Sequence, residues 1–239
     1  MTVHLIGGGW NEAAYGQVYG PFLAQAGPDP AVACIYLDEG DGPEQAARWA
    51  DALRRTAPCR PEAVLVPIGG SLDASVLDSV DAVLVCGGLT PAYQDAIAEP
   101  LAAYLARRPL PYAGFSAGAV IAARRALVGG WLSDGVRVCP EETAEDLEEI
   151  EVRPGLGLVE VTVDVHAAQW GTLPRLIEAV ARDLTTSGVA IDEDTVLAVD
   201  GTEAEVRGLG RVHLVRAGVQ GVTVRAYRAG ERLRLGQVR

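Results

Sequence analysis

Residues 111–120 read Pro111-Tyr112-Ala113-Gly114-Phe115-Ser116-Ala117-Gly118-Ala119-Val120 and contain the pattern Gly114-x-Ser116-x-Gly118. A short apolar approach precedes the serine, and a small-residue, helix-compatible run over 117–127 follows it. That is the setting of a nucleophile elbow, a sharp strand-to-helix turn that exposes a serine hydroxyl at the edge of a sheet. The two glycines have a steric reason to be there. The turn brings backbone close to backbone, and a Cβ at either position would collide. The helix start also leaves backbone N–H groups pointing outward, able to hold a developing oxyanion. Ser116 is the candidate nucleophile; the plainer alternative is a strand–turn–helix in which the serine only caps the helix.

Outward from this turn, toward the N-terminus, strands and helices alternate. A first buried strand over 3–6 ends in Gly7-Gly8-Gly9, a tight loop at the sheet edge that lacks the Gly-x-Gly-x-x-Gly spacing of a dinucleotide site. A helix is expected over 12–25, a second strand over 31–37, and an acidic, solvated turn over 38–42. Pro43 suits the first turn of a helix running to about residue 56. A third strand over 63–67, a short helix or turn over 72–79 and a fourth strand over 82–86 follow. A helix over 93–107 then leads to the fifth strand over 112–115. Unbroken apolar runs of this length suit buried parallel strands. The recurring strand–helix–strand spacing is the doubly wound α/β pattern, with function expected at the carboxyl ends of the strands.

The fourth strand ends in Gly87-Gly88-Leu89-Thr90-Pro91, on the side where Ser116 should emerge. One oxyanion donor is expected from the Gly88 N–H and the other from Ala117, the residue after the nucleophile. A compact turn feeding the next helix is the alternative. Past residue 128 the texture changes, and residues 129–153 read as an acidic loop or lid insertion, densest in carboxylates over 141–151. A strand over 161–165 then ends in Asp164-Val165-His166. His166 is one of three histidines, and its place at a strand terminus makes it a candidate general base. A helix over 173–183 and a strand over 188–191 precede Asp192-Glu193-Asp194. These three acids either form a polar turn or supply the carboxylate that orients His166. Strands over 195–199, 206–207, 212–215 and 223–227 read as antiparallel or edge strands finishing the sheet.

With 239 residues, the chain is long enough for one substantial core, and a single domain over 1–239 is expected. The formal net charge of −12 argues against nonspecific nucleic-acid or anionic-membrane binding. Four dispersed cysteines form no Cys-x-x-Cys, and Cys34 and Cys86 fall in strand-like runs as buried thiols. No signal-peptide pattern and no membrane-length apolar run occurs, so a soluble cytoplasmic protein is expected.

Taken together, Gly87-Gly88, Gly114-Phe-Ser-Ala-Gly118-Ala, Gly157-Leu158, Asp164-x-His166 and Ile191-Asp-Glu193-Asp-Thr195 resemble the peptidase E / cyanophycinase family of serine peptidases. The resemblance covers residues from 80 to about 200. It implies a fold like the class I glutamine amidotransferases, a three-layer α/β/α sandwich with a mostly parallel sheet. It also implies Ser116 as nucleophile and His166 as base. For the third member, Glu193 matches the cyanophycinase branch, and Asp134 is the rival suggested by the peptidase E branch. The order Ser–His–acid differs from the Ser–Asp–His order of α/β-hydrolases. Amidotransferase chemistry itself normally uses cysteine at the elbow, and Cys86 lies within a strand.

Two places depart from the family pattern. Leu89 stands where an Asn or Asp is usual. In Gln169-Trp170-Gly171-Thr172-Leu173-Pro174-Arg175 a basic cluster has been reduced to Arg175. Leu89, Trp170 and Arg175 are the candidate substrate-binding residues, with Trp170 either lining an apolar subsite or packing on the following helix. The expected reaction is acyl transfer from a short peptide or small amide to water, with no metal or organic cofactor. An esterase or amidase with the same three residues, and a noncatalytic small-ligand-binding homologue, are the rival functions. A homodimer is compatible with the sequence.

Overall fold

Five apolar segments form the parallel half of a central sheet: β1 (Val3–Ile6), β2 (Ala31–Asp38), β3 (Arg60–Pro67), β4 (Ala82–Val85) and β5 (Tyr112–Phe115). The structure is a computed structural model describing residues 2–235. The five strands lie in the order β1-β5-β4-β2-β3, every neighbouring pair parallel. Residues of β1, β4 and β5 are buried throughout, as expected where helices cover both faces of a parallel sheet. β3 is mostly exposed and carries Pro61 and Pro67, which suits an edge that should not recruit another strand.

The helix Gly42–Thr56 has Pro43 in its first turn and Arg54 and Arg55 in its last, and buries Trp49, Ala52 and Leu53 along one stripe. Helical structure also runs from Thr90 to Arg107, with a wider π-type turn at Gln94–Ala98. Pro100, just beyond that turn, has no N–H to donate back to it, which loosens the ladder there.

After β5 the helix Ala117–Ile121 is entirely buried and shorter than its small-residue sequence predicts. An incoming segment takes its last carbonyls: the Leu156 N–H donates to Ile121 O at 2.7 Å and the Leu158 N–H to Ala122 O at 2.9 Å. Tertiary bonding replaces further helical turns. The chain then runs through β6 (Arg125–Gly129), the hairpin β7 (Leu132–Ser133) and β8 (Val136–Arg137), and β9 (Glu151–Pro154), which pairs with β6.

The remaining strands are β10 (Thr162–Val165), β11 (Ser187–Ile191), β12 (Thr195–Asp200), β13 (Glu203–Gly208), β14 (Arg211–Gly218), β15 (Gly221–Arg228) and β16 (Arg232–Arg234). β12, β13 and β16 extend the central sheet beyond β1 through successive antiparallel pairings, in the order β16-β13-β12-β1. β14 and β15 do not finish that sheet, contrary to the sequence expectation. They join β10 and β11 in a second sheet of order β10-β11-β14-β15. The result is an α/β sandwich with a mixed, mostly parallel central sheet flanked by helices and antiparallel strands toward the C-terminus. Among the described residues no helix is long and apolar enough to cross a membrane.

Candidate active site

The turn after β5 has the geometry its glycines require. A Cβ on Gly114 would lie 2.3 Å from Gly118 O, and one on Gly118 would lie 2.1 Å from Val85 O. Ser116 sits between them at φ 51° and ψ −113°, a strained conformation for a residue with a side chain. Two backbone bonds hold it: Ser116 N–H to Ile6 O at 2.9 Å and Gly118 N–H to Cys86 O at 3.1 Å.

His166 follows β10 and is also left-handed, at φ 55°. Its N–H donates to Gly7 O at 3.0 Å, which ties it to the glycine loop after β1. That loop is glycine for the sake of the imidazole: a Cβ on Gly8 would lie 2.1 Å from His166 Cε1, and φ there is +104°. Glu193 lies in the link between β11 and β12. Its Oε1 is 2.8 Å from His166 Nδ1, and His166 Nε2 is 2.8 Å from Ser116 Oγ. A carboxylate can only accept, so Nδ1 carries the proton and the neutral ring presents a lone pair at Nε2 to the serine hydroxyl. Burial pulls the His166 pKa below the ordinary histidine value, with the Glu193 carboxylate opposing the shift.

Of the three acids in that link, Glu193 alone faces the ring. Asp192 accepts from Ala168 N–H at 3.1 Å and Arg211 N–H at 2.9 Å, and Asp194 accepts from Asn11 N–H at 2.9 Å. Asp134, the rival acid, lies in the turn of the β7–β8 hairpin, largely exposed and paired with Arg182 at 2.8 Å. Its part in the site is corrected accordingly.

Gly88, Leu89 and Trp170 border a cleft of about 620 Å³ with Ser116 and His166 on its wall. No hydrogen bond to the amides of Gly88 or Ala117 is found among the described residues. The next two amides are taken: Leu89 N–H faces Glu39 Oε1 at 3.4 Å, and Thr90 N–H donates to Glu145 Oε2 at 2.8 Å. Arg175 is a second correction. It does not line the cleft but is buried, paired with Asp164 at 2.7 and 3.1 Å, and donates to Thr143 O at 2.7 Å. The site's nucleophile candidate therefore stands on the central sheet and its imidazole on the smaller one.

A family model for Peptidase family S51 matches residues 70–207, more than half of the chain. The chain belongs to peptidase family S51. As a member it is a serine-type peptidase, in the same family as peptidase E and cyanophycinase. Among solved structures, a peptidase from an acI-B1 Actinobacterium superposes with a TM-score of 0.70 at 17% identity, over 98% of this S51 chain and 96% of its own. At that identity the likeness concerns the fold. No curated protein matches the chain.

Several features of this S51 site escaped the sequence reading. The glycines after β1 read only as a tight loop, although Gly8 makes room for the imidazole. The solvated acidic turn places Glu39 on the cleft, beside Glu141, Glu142, Glu145 and Asp146 of the acidic insertion, which the sequence does suggest as a rim. Arg48 is the one arginine or lysine on the described lining, its guanidinium 3.5 Å from the Trp10 ring centre. The buried stripe Leu176, Ala179 and Val180 on the helix Leu173–Ala181 is the signal that could have placed Arg175 inside, since position 175 falls on the same face as 179.

Proposed function

We propose that the chain hydrolyses short peptides through an acyl-enzyme on Ser116, with His166 as base, Glu193 as its orienting acid, and the Gly88 and Ala117 amides as oxyanion donors. The observation that carries this reading is the unbroken chain of two 2.8 Å contacts from Ser116 through the imidazole to Glu193. His166 Nε2 takes the hydroxyl proton as Ser116 Oγ attacks the peptide carbonyl. The same proton then passes to the leaving amine as the C–N bond breaks. Water, deprotonated by His166, repeats the attack on the ester and restores the serine. Each oxyanion donor is worth about 3 kcal/mol in sites where one has been removed.

A fluorophosphonate probe tests the nucleophile directly. The wild-type chain should be labelled on Ser116 and the Ser116→Ala chain should not. Absence of labelling in the wild type would sink the reading. A panel of short peptides and p-nitrophenyl esters separates the peptidase from an esterase with the same machinery. The five carboxylates facing one guanidinium in the cleft support a further preference, against acidic side chains at the cleaved bond. Peptides with Lys, Arg or a neutral residue there should be turned over at least about tenfold faster than the Asp and Glu analogues. Equal or faster turnover of the acidic peptides would reverse that preference.

The acid is tested by a pair of variants. Glu193→Gln should lower kcat by about 10³- to 10⁴-fold, while Asp134→Asn should stay within about twofold of wild type. The pH profile supplies a second measure. His166 must be neutral to act, and burial lowers its pKa, so the acid limb of kcat/KM should fall below the usual histidine value of about 6.5. Glu193 stabilises the imidazolium, so in Glu193→Gln the limb should move lower still. An upward move, or a larger loss in Asp134→Asn, would reassign the acid.

A further inference from the structure

A single turn of chain joins His166 to Trp170. The Trp170 N–H donates to His166 O at 2.8 Å, an i to i+4 closure that sets the two side chains over one another. The indole and imidazole stack with ring centres 3.8 Å apart and planes 7° from parallel. Gly8 crowds the same imidazole at Cε1, and hydrogen bonds pin both ring nitrogens. Those two bonds fix the ends of the ring; the stack fixes its plane. Trp170 is 44% exposed and lines the cleft, so burial of the indole does not account for its position.

We propose that Trp170 is a positioning residue: its ring holds the His166 imidazole in the plane that joins Ser116 to Glu193 and keeps water from that face. This rests on the peptidase reading above. The sequence expectation of an apolar subsite, or of packing on the following helix, concerned the indole's contact with substrate or core. The stack instead gives it a role acting through the base. A tilt of the imidazole by a fraction of its length breaks one of the two contacts it must keep at once, and misplacement of about 1 Å costs on the order of 100-fold in rate. The charged groups that act on the ring are Glu193, hydrogen-bonded at Nδ1, and the Asp164–Arg175 pair.

Trp170→Phe and Trp170→Leu separate a stacking ring from mere bulk. Fluorophosphonate labelling of Ser116, followed between about pH 5 and 8, reports the competence of the base. Labelling should be about 10- to 100-fold slower in Trp170→Leu and within about threefold of wild type in Trp170→Phe, which can still stack. The acid limb in Trp170→Leu should move up toward the ordinary histidine value as water reaches the ring. Proton NMR of the three histidines gives a readout independent of chemistry. The His166 Hε1 resonance should be shifted by the indole ring current in the wild type and lose that shift in Trp170→Leu. Equal labelling of all three chains, or an Hε1 resonance indifferent to the leucine, overturns the positioning role while leaving the peptidase reading standing. A wild type that does not label at all overturns both.

Discussion

Ser116→Ala should lower peptide hydrolysis by about 10⁴- to 10⁶-fold and leave the fold in place. The alanine removes one oxygen atom whose contact is His166 Nε2. The backbone bonds to Ile6 O and Cys86 O that hold the turn are unaffected, and alanine occupies the strained φ no worse than serine does. Residual rate would come from the oxyanion donors and binding alone. The measurement is turnover of a short peptide alongside a thermal melt. A variant with a wild-type melt and turnover within tenfold of wild type would place the nucleophile elsewhere. Gly118→Ala makes a useful contrast: its Cβ would meet Val85 backbone at 2.1 Å, so its melt should suffer where that of Ser116→Ala does not.

Arg175→Met should cost about 3–5 kcal/mol of stability, the price of leaving a buried carboxylate without its partner. Asp164 is fully buried and Arg175 nearly so; Asp164 lies on β10 two residues before His166, and Arg175 reaches it from the helix Leu173–Ala181. The guanidinium also donates to Thr143 O, which fastens the acidic insertion to the strand that leads into His166. Loss of the arginine should therefore both lower the urea midpoint and expose the segment 130–146 to limited proteolysis. Replacing both partners with apolar residues, Asp164→Leu with Arg175→Met, should recover part of the loss, because no unpaired charge remains. A single-variant cost below about 1 kcal/mol would mean that water reaches Asp164 after all.

What could be read from the sequence was what depends on short range. Gly114 and Gly118 are four residues apart and their steric need is local, so the turn at Ser116 was legible. Strand ends could be placed, and with them Ser116, His166 and the acidic link; the family resemblance selected Glu193 among its acids. Contacts between distant segments were not legible. Nothing near Gly8 announces an imidazole that arrives with residue 166. The run after Ser116 has helical composition throughout, yet the backbone of residues 155–159 stops it at Ile121. Alternation showed that 212–215 and 223–227 are strands, but register with β11 rather than with β12 is a tertiary choice. The resemblance assigns Arg175 to substrate as the remnant of a basic cluster, while its neighbours on the helix place it in the interior.

Ser116 and His166, the proposed nucleophile and base, follow strands of different sheets, and Glu193 sits where the chain crosses from one to the other. Turnover is therefore a gauge of how the two slabs are docked, a relation that no single strand pairing controls. Mild heat or denaturant that lets them slip can silence the enzyme while every ladder of backbone bonds survives. Inactivation should run ahead of any loss of far-ultraviolet dichroism.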